Sequence, residues 1–207
     1  MKRLAILTLS LLVAPFGVEA RCVTAADLAT GISFKRQDGH KGTVIQQGAL
    51  VSIDYAVDAK VRMNRVVSLY GVYARQSISY PHDATVAGKG IVTTTARFSG
   101  TPPLPRAGKV WNTNVALTIS DKSTTQNASG LASYPERFTF RPVHQVKLSG
   151  CTYNVMPVEA TVATKDRTYT IGLAYFPDLG FALQTHIIFT PTGTVTANPL
   201  TALTPGR

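Results

Sequence analysis

Apolar side chains in this chain recur at every second position over long stretches, and past residue 20 no segment carries a convincing helical period. The pattern is clearest over residues 150–190. Strands at 153–162, 167–175 and 181–189 place Met156, Val158, Ala160 and Val162, then Ile171, Leu173 and Tyr175, then Phe181, Leu183 and Ile187 on one face. A four-residue loop at 163–166 pairs Val158 with Ile171, and a five-residue loop at 176–180 pairs Tyr175 with Phe181 and Leu173 with Leu183. Pro177, Asp178 and Gly180 suit such a turn. Slipping the last strand by one residue turns Ala182, Gln184 and His186 toward the apolar side, which costs burial and argues for the stated register. The segment reads as a three-stranded antiparallel meander.

Taken from the N-terminal side, Thr24 suits the cap of a helical turn over 25–30 that Gly31 ends. Strands at 32–36 and 43–47 flank Asp38-Gly39, a strong hairpin signal. Further strands fall at 50–57 and at 65–75, where Gly71 marks a bulge or the close approach of another backbone. Residues 90–99 and 110–120 follow, the latter carrying Trp111 on one face with Thr113, Val115, Leu117 and Ile119. One or two strands lie over 137–148, interrupted by Pro142. The prediction is all-β: an antiparallel meander forming a curved sheet, a partly closed barrel or a sandwich. The proline-rich stretch at 101–108 is either a surface loop in a single domain over 21–190 or the boundary between two lobes. The Thr, Pro, Gly and Ala content of 191–207 reads as a flexible tail.

Composition changes this picture at the N-terminus. Met1-Lys2-Arg3, the apolar run 4–18 and Val18-Glu19-Ala20 have the form of a secretory signal peptide cleaved after Ala20. That places the mature chain in a periplasmic or secreted setting, with no second span to hold it in a membrane. Arg21 before Cys22 departs from a lipidation signal. Cys22 and Cys151 are the only cysteines, and an even count in an exported chain argues for one disulfide. Cleavage removes Lys2, Arg3 and Glu19, leaving 19 basic and 10 acidic residues and a net charge of +9. Such a chain is drawn to anionic surfaces. Its basic residues are nevertheless scattered, and local groups such as Lys35, Arg36 and Lys41 read as solvated strand faces and turns. Export argues against nucleic acid and for an anionic envelope surface, a lipid or a partner protein.

Motifs for catalysis are absent. The chain has no Gly-x-Ser-x-Gly and no Ser-x-x-Lys, and its four histidines, His40, His82, His144 and His186, lie at least 42 residues apart. Without a phosphate loop, a calcium loop or a metal-ligand spacing, neither cofactor nor metal is expected. The meander register makes one constellation: Glu159, Thr170 and His186 form a row across the polar face, with Gln184 in the next row and Tyr153 at its flank. Apart from Glu136, Glu159 is the only glutamate of the mature chain. The row reads either as a polar binding groove or as an ordinary solvated sheet face.

The segment Cys22-Val23-Thr24-Ala25-Ala26-Asp27-Leu28-Ala29-Thr30-Gly31-Ile32, together with Phe176-Pro177-Asp178-Leu179-Gly180, resembles uncharacterised secreted bacterial proteins of similar length. The closing aromatic-Pro-Asp-Leu-Gly hairpin is also similar to that of periplasmic lipoprotein-carrier and lipoprotein-like β-meander domains. That likeness implies a curved sheet able to hold an apolar ligand and assigns no site residue. The expected function is an exported, non-enzymatic β-module binding an apolar or anionic envelope component or a partner protein. The alternatives are a hydrolase built on the Glu159 and His186 row, or a structural envelope protein.

Overall fold

The computed structural model describes residues 21–56, 63–80, 91–121 and 132–206; the segment 1–20, read as a signal peptide, lies outside them, as does most of the polar loop expected at 121–133. Among the described residues a helical turn (Ala25–Ala29) precedes fourteen strands: β1 (Ile32–Arg36), β2 (Lys41–Gln47), β3 (Leu50–Ala56), β4 (Met63–Leu69), β5 (Tyr73–Ser79), β6 (Val92–Phe98), β7 (Val110–Asp121), β8 (Ala132–Phe140), β9 (His144–Leu148), β10 (Cys151–Ala163), β11 (Thr168–Phe176), β12 (Phe181–Thr190), β13 (Val195–Ala197) and β14 (Leu200–Pro205). They form one antiparallel sheet, not closed into a barrel, ordered β13-β12-β11-β10-β8-β7-β6-β5-β4-β3-β2-β1-β14, with β9 paired to the first half of β10. Because the chain meanders, almost every pairing is between strands consecutive in sequence.

The sheet coils on itself. Phe176, Phe181 and Leu183 of the β11–β12 hairpin pack in one buried cluster with Ile32, Phe34, Val44 and Ile53 of β1–β3. On the opposite face, Tyr175 and Ala182 pack with Val72, Tyr73, Phe138 and Val158. The hairpin is therefore the inner turn of a scroll, covered on both sides, and β10 passes between the two clusters by burying both Val155 and Met156. Each large apolar side chain so buried contributes roughly 1.5–3 kcal/mol.

This double burial reverses the expected register of the last strand. The turn after Phe176 has four residues, with Phe176 opposite Phe181, Tyr175 opposite Ala182 and Leu173 opposite Gln184. A one-core sheet would lose burial in this arrangement. Here Phe181 and Leu183 enter the second core, while the opposite face, where the β4–β5 turn comes close, has space for Ala182 alone. A bulge at Gly172/Leu173 then restores the expected facing, so Ile187 lies opposite Ile171. Between β10 and β11 the register differs from the expected one by two residues, pairing Val158 with Leu173 and Ala160 with Ile171, and the apolar face is preserved.

Residues 65–75 make two strands. The turn between them has positive φ at Tyr70 and Gly71, and Gly71 lies against the Ala182 backbone, the close approach its glycine suggested. The proline-rich segment at 101–108 joins β6 to β7 within the continuous sheet; Pro102 and Pro105 are buried, and the Tyr73 hydroxyl donates to the Pro103 carbonyl at 2.9 Å. Beyond Thr190 the chain is not a tail: β14 pairs along β1, and Leu203 is buried. Leu200 and Leu203 are the only large apolar residues of that strand, too few to register as alternation against its turn-forming composition. The Cys22–Cys151 disulfide ties the chain just past the proposed cleavage point to the start of β10, and the Tyr153 hydroxyl accepts the Val23 amide at 3.0 Å.

Candidate functional site

At one end the scroll is filled. Tyr73, Phe98, Trp111 and Phe138 form an aromatic cluster in which Tyr73 meets its neighbours edge to face, centred 5.0 Å from Phe138 and 5.2 Å from Trp111. Above it the inner side chains stop meeting. They leave a cavity of about 300 Å³, lined by Ile53, Val66, Val115, Leu117, Ile171 and Leu173 among others. The polar groups on its wall include Gln76, Gln184, Glu136 and the tyrosines Tyr134 and Tyr169. Strand alternation puts them there: Tyr134, Glu136, Phe138 and Phe140 share the concave face of β8, as Trp111, Thr113, Val115 and Leu117 share that of β7.

Glu136 is the anomaly in this wall. Among the described residues no cation or hydrogen-bond donor pairs with its carboxyl, and burial pushes its pKa up to about 7. Burial, with Glu136 nearby, also holds the Tyr134 and Tyr169 hydroxyls above their ordinary range.

A second compartment of about 290 Å³ adjoins the first and shares Tyr55, Val66, Ser77 and Gln184 with it. Its base is Arg36, which follows Ile32 and Phe34 on the inner face of β1 and is only 8% exposed. The guanidinium lies 4.7 Å from the Tyr55 ring centre and 5.6 Å from that of Phe34. Its Nε and Nη2 are buried without a hydrogen-bond partner among the described residues, as is Asn64 Oδ1 on the same wall. Burial raises the pKa of the Tyr55 hydroxyl, with Arg36 and the Gln184 backbone opposing the rise.

The expected polar row is altered in membership. Glu159 stands opposite Gly172, and Gly172 opposite His186, so glycine takes the central place given to Thr170. Thr170 pairs instead with Thr161, their hydroxyls 3.1 Å apart. Glu159 is held by Arg141 through two hydrogen bonds of 3.1 and 2.7 Å, while His186 Nδ1 lies 3.0 Å from the Thr185 hydroxyl and its ring covers Gly172. Both side chains line a groove of about 370 Å³ on the face away from the interior cavity. Tyr153 is buried in the core with its hydroxyl engaged by Val23, apart from that groove. Gln184, displaced by the register change, enters the interior site.

Sequence reasoning missed Arg36, Glu136, Tyr134 and Tyr169 as site residues. The signal was present: Ile32-x-Phe34-x-Arg36 and Tyr134-x-Glu136-x-Phe138 each carry a charge on the apolar side of an alternating strand. Fold and site together define a class, an open coiled antiparallel sheet with a partly unfilled interior. Comparison of the chain with protein-family models, curated proteins and solved structures gives no match.

Proposed function

We propose that this chain is an exported, non-enzymatic binding module that holds a small apolar molecule inside the coiled sheet. The observation that carries this reading is the cavity of about 300 Å³ above the aromatic cluster, within the size range of small-molecule sites and lined mainly by apolar side chains with a few polar groups. A filled core would leave no such volume. Export rests on the N-terminal apolar run and fits the disulfide. The hydrolase alternative has less support, because Arg141 already engages the Glu159 carboxylate that would have to act as acid or base.

The test is fluorescence of N-phenyl-1-naphthylamine, an uncharged probe that brightens in apolar surroundings, titrated into the mature chain. Saturable enhancement that Ala160→Trp abolishes supports the reading, since Ala160 lines the cavity wall. Enhancement that is non-saturable, or unchanged in that variant, removes it. Native mass spectrometry of the protein from its own compartment then identifies the resident molecule.

A further inference from the structure

Among the described residues two of three guanidinium–carboxylate pairs use the same edge of the arginine, while Arg21 meets Asp27 through Nη1 and Nη2. Arg65 donates from Nε and Nη2 to Asp54 at 2.8 Å each, and Arg141 donates from the same two atoms to Glu159. Those atoms present parallel N–H groups at the spacing of two carboxylate oxygens. In Arg36, whose side chain is more than nine-tenths buried, the same edge has no hydrogen-bond partner among the described residues. Leaving a charged group buried and unpaired is costly, and a partner that satisfies both donors recovers that cost.

The surroundings of Arg36 favour an anion. Lys41 and His40 line the same compartment, Asn64, Ser77 and Ser79 add polar groups, and among the described residues no acidic side chain lines it. The nearest acid in sequence, Asp38, is engaged by His40 and Asn198. Glu136 lines the apolar compartment and not this one. Four shared lining residues make the two compartments neighbours, so one molecule can present a charged head to Arg36 and an apolar body to the cavity.

We propose that Arg36 is the anchor for the carboxylate of an amphiphilic ligand whose apolar part occupies the interior cavity. The carboxylate accepts from Nε and Nη2 as Asp54 and Glu159 do from their arginines, and Tyr55 and Phe34 fix the guanidinium plane. Lys41 adds attraction at the mouth. This identification rests on the interior-binding reading, which it deepens by naming the ligand class.

The test titrates decanoate and 1-decanol calorimetrically into the disulfide-bonded mature chain at pH 8, with the naphthylamine probe run in parallel. Decanoate is expected to bind at least about tenfold tighter than decanol, in line with a charge-assisted two-point contact. Arg36→Gln abolishes that preference, and Arg36→Lys, which keeps the charge without the paired donors, lowers it severalfold. Equal affinity of acid and alcohol for the native chain, or a preference that survives Arg36→Gln, overturns the anchor and leaves the cavity reading standing. Decanoate binding to the native chain without probe or decanol binding overturns the cavity reading and with it the placing of the ligand's apolar part, leaving Arg36 as a carboxylate contact only. Should Arg36→Gln fail to fold, the Arg36→Lys ratio decides: an unchanged preference overturns the proposal.

Discussion

Gly71, at the tip of the β4–β5 turn, lies against the main chain of Ala182 on the inner hairpin, at a φ of 70°. A Cβ on residue 71 would run into that backbone, and backbone cannot swing aside as a side-chain end can. The contact is what lets the outer wall close down on β12, and it explains why the residue facing the turn is an alanine.

Gly71→Ala should therefore cost about 2–4 kcal/mol, combining left-handed strain with steric conflict. Urea denaturation checks this as a lowered midpoint at unchanged slope. A loss under about 0.5 kcal/mol would mean that the turn and the hairpin are not in contact.

The same contact shows why the fold is readable from sequence and the site is not. Alternation locates most strands, the Asp38-Gly39 turn and the apolar face of β10 and β11, because each depends on neighbours in sequence. The facing of β12 depends on how many cores the sheet makes. Phe181 and Leu183 look misplaced until β1–β3 are seen to cover the back of the hairpin, and only the coiled arrangement supplies that cover. Arg36 reads as a surface cation beside Lys35, since charge is usually solvated. Its place in the Ile32-Phe34-Arg36 alternation carries the contrary information. The two-sided core also moves Gln184 from the outer row into the interior.

Removal of the Cys22–Cys151 bridge should cost about 2–4 kcal/mol, because it closes a long loop and pins the capped N-terminal turn beside Tyr153. The pair of variants Cys22→Ser and Cys22→Ser/Cys151→Ser, compared with the native chain by urea midpoint, measures this. Intact mass rising by about 2 Da on reduction of the native chain checks that the bond is present.

Gly172 and His186 should behave as a coupled pair. Gly172→Ala pushes against the imidazole that covers it, costing about 1 kcal/mol, whereas in a His186→Ala background the same change should cost under about 0.5 kcal/mol. A double-mutant cycle reads the difference directly. Because this pair faces the outer groove, His186→Ala should leave naphthylamine binding in the interior unchanged; weakened probe binding would show that the two faces communicate.

Glu136 makes stability depend on pH with a definite sign. Its folded pKa of about 7 lies above the ordinary 4.5, so the folded state holds the proton more tightly than the unfolded chain. The stability this contributes is complete below about pH 4.5 and is lost as pH rises through about 7. At about 1.4 kcal/mol per unit of pH over that window, the loss is at most about 3.5 kcal/mol. Glu136→Gln, which keeps the shape and never ionises, should be more stable than the native chain at pH 8 by about 1–3 kcal/mol and no different at about pH 4. Denaturation of both proteins across that range measures the difference, and the comparison cancels the contribution of Asp27, whose carboxyl Arg21 and the Thr24 amide hold well below the usual range. A native-minus-variant difference that stays flat would mean that water reaches the carboxyl freely and that the upper cavity wall is open at that point. A slope of the stated sign would instead place an ionising group on the wall of the interior cavity, and on the proposed binding reading an uncharged ligand such as decanol should then bind more tightly on the acid side of about pH 7.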